Sequence, residues 1–155
     1  MSETAQADAI GGNARSLDRL RRLVARLDDA ALSRDLGAGW TVGVALAHLA
    51  FWDRISLERW RSWLQSGQMN DLQDATNLVN NATVPEWRTL GPPAIRALVI
   101  DAATAVNEAV ASGGQSRVDA VSAAGKPRWA HRHLHRMEHI DQIESALASA
   151  SRAKG

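Results

Sequence analysis

Apolar residues recur every three or four positions through four separate stretches of this chain, and alternating strand patterns are scarce. In the first stretch Leu17, Leu20, Leu23, Val24 and Leu27 share a face, and Ser16 is suited to cap the helix they imply. The second is introduced by Thr41 as N-cap, runs to about Gln65 and stops near Gly67. One stripe of it reads Val44, His48, Phe51, Ile55, with Leu49, Trp52, Trp60 and Trp63 on neighbouring faces, so burial on more than one side is expected. The third begins at Pro92 and Pro93 and ends at Gly113-Gly114, with Ile95, Leu98, Val99, Ala102, Val106 and Val110 inward. The fourth is expected from near Arg128 to about Ser149.

Four amphipathic helices in one chain of 155 residues predict an all-α fold, a four-helix bundle with a long crossover connection. The crossover is residues 66–91, with Gly67, Asn80, Asn81, Pro85, Trp87 and Gly91 around a short internal helix. Connections of that length are often functional. Residues 115–127 read as another connection. The expected organisation is a flexible N-terminal lead over 1–15, the bundle over 16–149 and a frayed tail over 150–155.

Composition removes several kinds of chemistry. The chain has no cysteine, so disulfides, thiolate metal sites and a cysteine nucleophile are excluded. Any metal must sit on nitrogen or oxygen, and any reacting thiol must come from a small molecule. The polar start MSETAQADAIGGNA does not resemble a signal peptide, and no apolar run approaches the ~20 residues that span a bilayer. A cytoplasmic location without membrane attachment is therefore expected. A net charge of +1 gives no bulk attraction to nucleic acid. The stripe Arg15, Arg19, Arg22, Arg26 reads as a solvated helix face or a patch for an acidic partner.

Four of the five histidines fall within nine residues: His131, His133, His135 and His139. Helical residues four apart share a face, and two imidazoles so spaced can chelate one ion. On a helical wheel His135 and His139 sit at the edge of the core face, His131 rotates outward toward solvent, and His133 points elsewhere. His48, in the inward stripe of the second helix, is the remaining candidate for a third ligand. The competing reading is a hydrogen-bonded core histidine beside a decorative surface pair. Three protein ligands would leave coordination positions open, as in catalytic sites.

Arg132 and Arg136 fall on the core-facing side of the last helix. An arginine so placed needs a partner. Asp53 or Glu58 could supply a structural salt bridge, the side chains could snorkel to a bundle end, or the pair could clamp a ligand carboxylate. Asp53 is off the face of His48 and reads as an arginine partner rather than a ligand. Gln142 could orient a ligand of His139 or sit on a polar rim. The six tryptophans are mostly core, one or two of them walling a pocket, Trp52 among the candidates. Asn80 and Asn81 could lid the site, and turn chemistry explains them equally.

The segments Gly39-Trp40-Thr41-Val42 and Ala45-Leu46-Ala47-His48-Leu49-Ala50-Phe51-Trp52-Asp53 resemble the second-helix motif of the DinB-like superfamily. His135-Arg136-Met137-Glu138-His139-Ile140-Asp141-Gln142-Ile143 resembles its last-helix motif, and Asn80-Asn81-Ala82 with Pro85 and Trp87 is similar to a connecting stretch of some members. The likeness covers roughly residues 16–149. It implies a four-helix bundle whose metal ligands are His48, His135 and His139. The superfamily includes bacillithiol- and mycothiol-dependent S-transferases and mycothiol-dependent maleylpyruvate isomerases. Some isomerase-like members carry glutamate where this chain has His135. The isomerases have a second, C-terminal domain, which this chain is expected to lack.

The resemblance therefore implies a divalent-metal enzyme, on zinc or nickel, using mycothiol or bacillithiol against a small electrophilic substrate. The pocket residues expected are Arg132, Arg136, Gln142, Trp52, Asn80 and Asn81. A non-catalytic metal- or small-molecule-binding bundle and a plain interaction domain with structural histidines are the alternatives. A homodimer is possible on any of these readings, although no helical stripe identifies its face.

Overall fold

The computed structural model describes residues 8–69 and 76–152. The expectations for residues 1–7 of the lead and 153–155 of the tail lie outside the described residues. Helix α1 spans Ala9–Ala25, a short α2 Asp29–Leu32, and strands β1 (Asp35–Gly37) and β2 (Trp40–Thr41) form an antiparallel hairpin. Helix α3 spans Val42–Ser66, α4 Thr76–Trp87, α5 Pro92–Gly113 and α6 Gln115–Ala123. A 3₁₀ turn at Pro127–Trp129 leads into α7, Arg132–Arg152. The described residues are almost all helical, with the one short hairpin as their only strands.

Helices α1, α3, α5 and α7 close into a bundle. Helix α3 packs along α5, α5 against α1, α1 against α7, and α7 back against α3. The apolar faces meet as a core of Leu20, Leu23, Leu46, Leu49, Val99, Ile140 and Ile143. A second cluster around Trp60, Val106, Val110, Val121 and Trp129 fills the other end. There the Trp60 ring lies so close to Gly113 that a Cβ would come within 2.6 Å of it, which makes glycine the residue that lets α3 and α5 approach.

The ends of α3 follow from local chemistry. The Thr41 hydroxyl accepts from the Val44 amide at 3.2 Å, and Gly67 turns left-handed at φ 71° to close the helix. Prolines begin α5, where their missing N–H costs nothing.

Other expectations change. The first helix starts seven residues before Ser16, capped by Asp8, whose carboxylate accepts from the Gly11 amide. Ser16 is buried mid-helix and donates to the Asn13 carbonyl. Residues 115–123, expected as connection, form α6, and α7 starts at Arg132 rather than Arg128. The arginine stripe of α1 is more than a solvated face, because Arg19 and Arg26 converge on Glu144 of α7 at 2.5 and 2.6 Å.

Candidate metal centre

Helix α3 brings His48, and α7 brings His135 and His139, to one point on the bundle wall. One ring nitrogen from each lies within 4.8 Å of the other two. His48 Nε2 and His135 Nε2 are 3.0 Å apart. The ring centroids form a near-regular triangle, with separations of 4.9, 5.0 and 5.0 Å. The spacing of residues 135 and 139 places both on one side of α7, and the contact of α7 with α3 supplies the third ring.

Indole rings surround the His48 imidazole. Trp40, Trp87 and Trp52 stand edge-on to it at 4.9, 5.4 and 6.3 Å, and Trp40 stacks parallel to His139. This apolar collar keeps the imidazoles neutral. Burial pushes His48 down to about 3 and His135 to about 2, with neighbouring positive groups adding to the effect, and burial also lowers His139. At neutral pH each ring therefore offers a lone pair.

The donor set fits a divalent ion that prefers imidazole. Ligand nitrogens around one zinc stand ~3.4 Å apart, and small side-chain rotations bring these rings to that spacing. His48 Nδ1 is buried with no hydrogen-bond partner among the described residues, and Nε2 is the nitrogen that faces His135. His139 Nδ1 faces the Gln142 side-chain oxygen at 3.2 Å, which places its proton on Nδ1 and leaves Nε2 free to ligate. His135 Nδ1 faces Arg132 Nη2 at 3.1 Å.

The triad opens onto a cavity of about 640 Å³, within the range of small-molecule sites. Trp52, Asn80, Trp129, Arg132 and Glu138 are among its walls. Trp52 Nε1 donates to Asn80 Oδ1 at 2.9 Å, fastening α4 over this side of α3.

The family model described as the mycothiol maleylpyruvate isomerase N-terminal domain matches residues 14–142. The chain belongs to this family. The family is part of the DinB-like superfamily. Searches of curated proteins and of solved structures returned no match.

Within this family member the remaining sequence expectations sort themselves by geometry. Asn80 and Trp52 reach the cavity, whereas Asn81 is exposed one residue further along α4 and does not line it. Gln142 is exposed and sits behind His139 rather than in the cavity. Arg136 is not a pocket residue. Its side chain is fully buried, with Nε on Asp53 Oδ2 at 2.9 Å and Nη1 reaching Ser16 and Asn107. Arg132 shares the same carboxylate, Nε to Asp53 Oδ1 at 2.7 Å, but also lines the cavity. Glu58 is taken by Arg61 instead.

His131 does not turn to solvent. It lies one residue before α7, outside the helical wheel, and is buried at 2 % exposure. His133 does point away from the triad, its backbone amide donating to Asn13 Oδ1 at 2.9 Å. Sequence reasoning missed Asn13, a buried asparagine that also donates to the Ala130 carbonyl at 2.6 Å. It also missed Arg59 and Lys126, which line the cavity beside Trp129. A polar residue four positions before Leu17, in line with the apolar stripe, was the available signal for Asn13; residues 59 and 126 carried none.

Proposed function

We propose that this chain is a divalent-metal-dependent enzyme that brings a low-molecular-weight thiol to a small electrophilic substrate. The observation that carries this reading is the convergence of His48, His135 and His139 within 4.8 Å at the wall of an open cavity. The family's link to mycothiol supports a thiol, and the cysteine-free sequence requires it to be a separate molecule.

His48, His135 and His139 would hold the ion, zinc or nickel by the preference of imidazole. Bound there, a divalent ion supplies Lewis acidity that favours the deprotonated form of a mycothiol or bacillithiol sulfur at neutral pH. The chain's own residues do the rest. The tryptophan collar excludes water from one side of the triad. Gln142 fixes the His139 proton on Nδ1, and Trp52 with Asn80 holds the cavity wall that orients the substrate.

Elemental analysis of protein purified without a histidine tag tests the metal. Near-stoichiometric zinc or nickel is expected, and protein that stays metal-free after loading sinks the reading. Turnover of mycothiol or bacillithiol with a generic electrophile, lost on chelation and restored by metal, is the expected activity. Metal-replete protein inert to both thiols would favour a binding module without catalysis.

A further inference from the structure

Asp53 is shared by two buried guanidinium groups. Arg136 Nε takes one of its oxygens at 2.9 Å and Arg132 Nε the other at 2.7 Å. Two cations and one anion, all nearly without exposure to solvent, leave one positive charge in excess. An excess of that kind is costly away from water unless another group answers it.

The two arginines differ in what else they hold. Arg136 spends its terminal nitrogens on protein acceptors, the Asn13 and Ala103 carbonyls and the side chains of Ser16 and Asn107, and it does not line the cavity. Arg132 lines the cavity. Its Nη1 donates to the Arg128 carbonyl at 3.0 Å, and Nη2 stands 3.1 Å from His135 Nδ1, a contact that engages at most one of the Nη2 hydrogens. Each terminal nitrogen therefore keeps an N–H with no acceptor among the described residues, and the count is the same with or without an ion on the triad. The cavity walls have no carboxylate to spare: Glu138, the one acid among the described lining residues, pairs with Arg128 at 2.9 Å.

We propose that Arg132 is an anion-binding residue of this cavity, and that the ligand it selects is a small organic acid whose carboxylate pairs with both terminal nitrogens. This rests on the cavity being the substrate site, as read above, and adds the charge class of the substrate. The fork of a guanidinium matches the two oxygens of a carboxylate, and the bound anion cancels the charge left in excess at Asp53. Arg132 lies one turn before His135 on α7 and both line the cavity, so the acid is held beside the triad. Arg136 already ties α7 to Asp53, which makes Arg132 a residue of specificity more than an anchor.

Benzoate and benzamide have nearly the same shape and differ by one charge, and both fit a cavity of about 640 Å³. Titrations of tag-free protein followed by ¹H–¹⁵N shifts, run in chelator and again with saturating zinc, test the site. Wild type is expected to bind benzoate at least about tenfold tighter than benzamide in both conditions, the scale of one charge-assisted hydrogen bond. R132Q is expected to lose the preference while still binding benzamide, which tells a lost charge from a collapsed cavity. If R132Q does not fold, R132K, which keeps the charge without the fork, is expected to lose most of the preference. Phenyl phosphate is expected to bind more weakly than benzoate; tighter binding would give the site to phosphate esters and overturn the carboxylate assignment. Benzoate bound no better than benzamide, or a preference that survives R132Q, overturns the proposal. So does a preference seen only with zinc, because the ion and not the arginine would then hold the acid. Protein that takes up no zinc yet prefers benzoate keeps the anion site and loses the metal, and protein that binds zinc without that preference does the reverse.

Discussion

Arg136 Nε donates to Asp53 Oδ2 at 2.9 Å, and neither side chain has any exposure to solvent. Asp53 accepts Arg132 on its other oxygen, so one carboxylate from α3 anchors two guanidinium groups from α7. Asp53, five positions after His48 on α3, therefore holds the two arginines that flank His135 on α7. Ionic contacts of this kind stabilise little over apolar packing, but removing one partner strands the other.

Asp53→Asn should therefore destabilise strongly. It leaves two buried cations facing an amide, at a cost of about 3–5 kcal/mol. For a chain of this size that corresponds to a fall in Tm of order 10 °C. Metal affinity should fall with it, since α7 loses its register against α3. Thermal melts compared with Glu58→Gln, whose exposed carboxylate pairs only with Arg61, separate the buried anchor from a surface charge. Equal losses in the two variants would contradict the assignment.

The helices that hold the ligands were legible because their signals are local. Thr41, Gly67 and Pro92 set ends by capping chemistry that acts within one turn. The start of α1 was not, because the small, polar residues before Ser16 carry no apolar stripe. Gly12 is there for a distant reason: a Cβ would meet His133 Nδ1 at 2.8 Å. Helix α6 buries only Val118 and Val121, too little to show a period. The triad could be read from i, i+4 spacing plus one inward histidine, while His131 precedes the first residue of α7, where helical periodicity no longer sets a side chain's direction. The Asp53 partner of Arg136 is one of those the sequence offers, whereas its other acceptors, Ser16 and Asn107, come from two other helices that no local pattern connects to it.

The cap at Thr41 bears on the site, since it fixes where α3 begins and so where His48 points two turns later. Thr41→Ala should cost about 1 kcal/mol by orphaning the Val44 amide. Urea unfolding should show a lower midpoint with an unchanged m value. A cost near zero would mean that water replaces the hydroxyl.

Glu144 ties α7 to α1 through Arg19 and Arg26. The hydrogen bond from Arg19 holds its carboxyl below the ordinary value of 4.5. A carboxyl lowered in the folded state binds fewer protons there than in the unfolded chain. Its stabilisation is complete above pH 4.5 and fades as pH falls through the lowered folded value. Glu144→Gln should thus cost up to about 1 kcal/mol at pH 7 and close to nothing in strong acid. Denaturant titrations at pH 7 and near pH 3 measure the difference; a gap that widens on acidification would reverse the sign.

The triad itself makes the sharpest demand on stability. A ligand that binds only the folded chain stabilises it by about 2.7 kcal/mol when free at about 100 times its Kd. Saturating zinc or nickel should then raise Tm by roughly 5–10 °C, reversibly with chelator. His48→Ala and His139→Ala should each abolish both the shift and metal retention, because the two imidazoles that remain cannot hold what three do. His133→Ala should keep them, since that ring faces Asn13 rather than the triad. The three variants melted with and without metal decide the matter: loss of the shift in His133→Ala as well would mean that the ion, if any, sits elsewhere on α7.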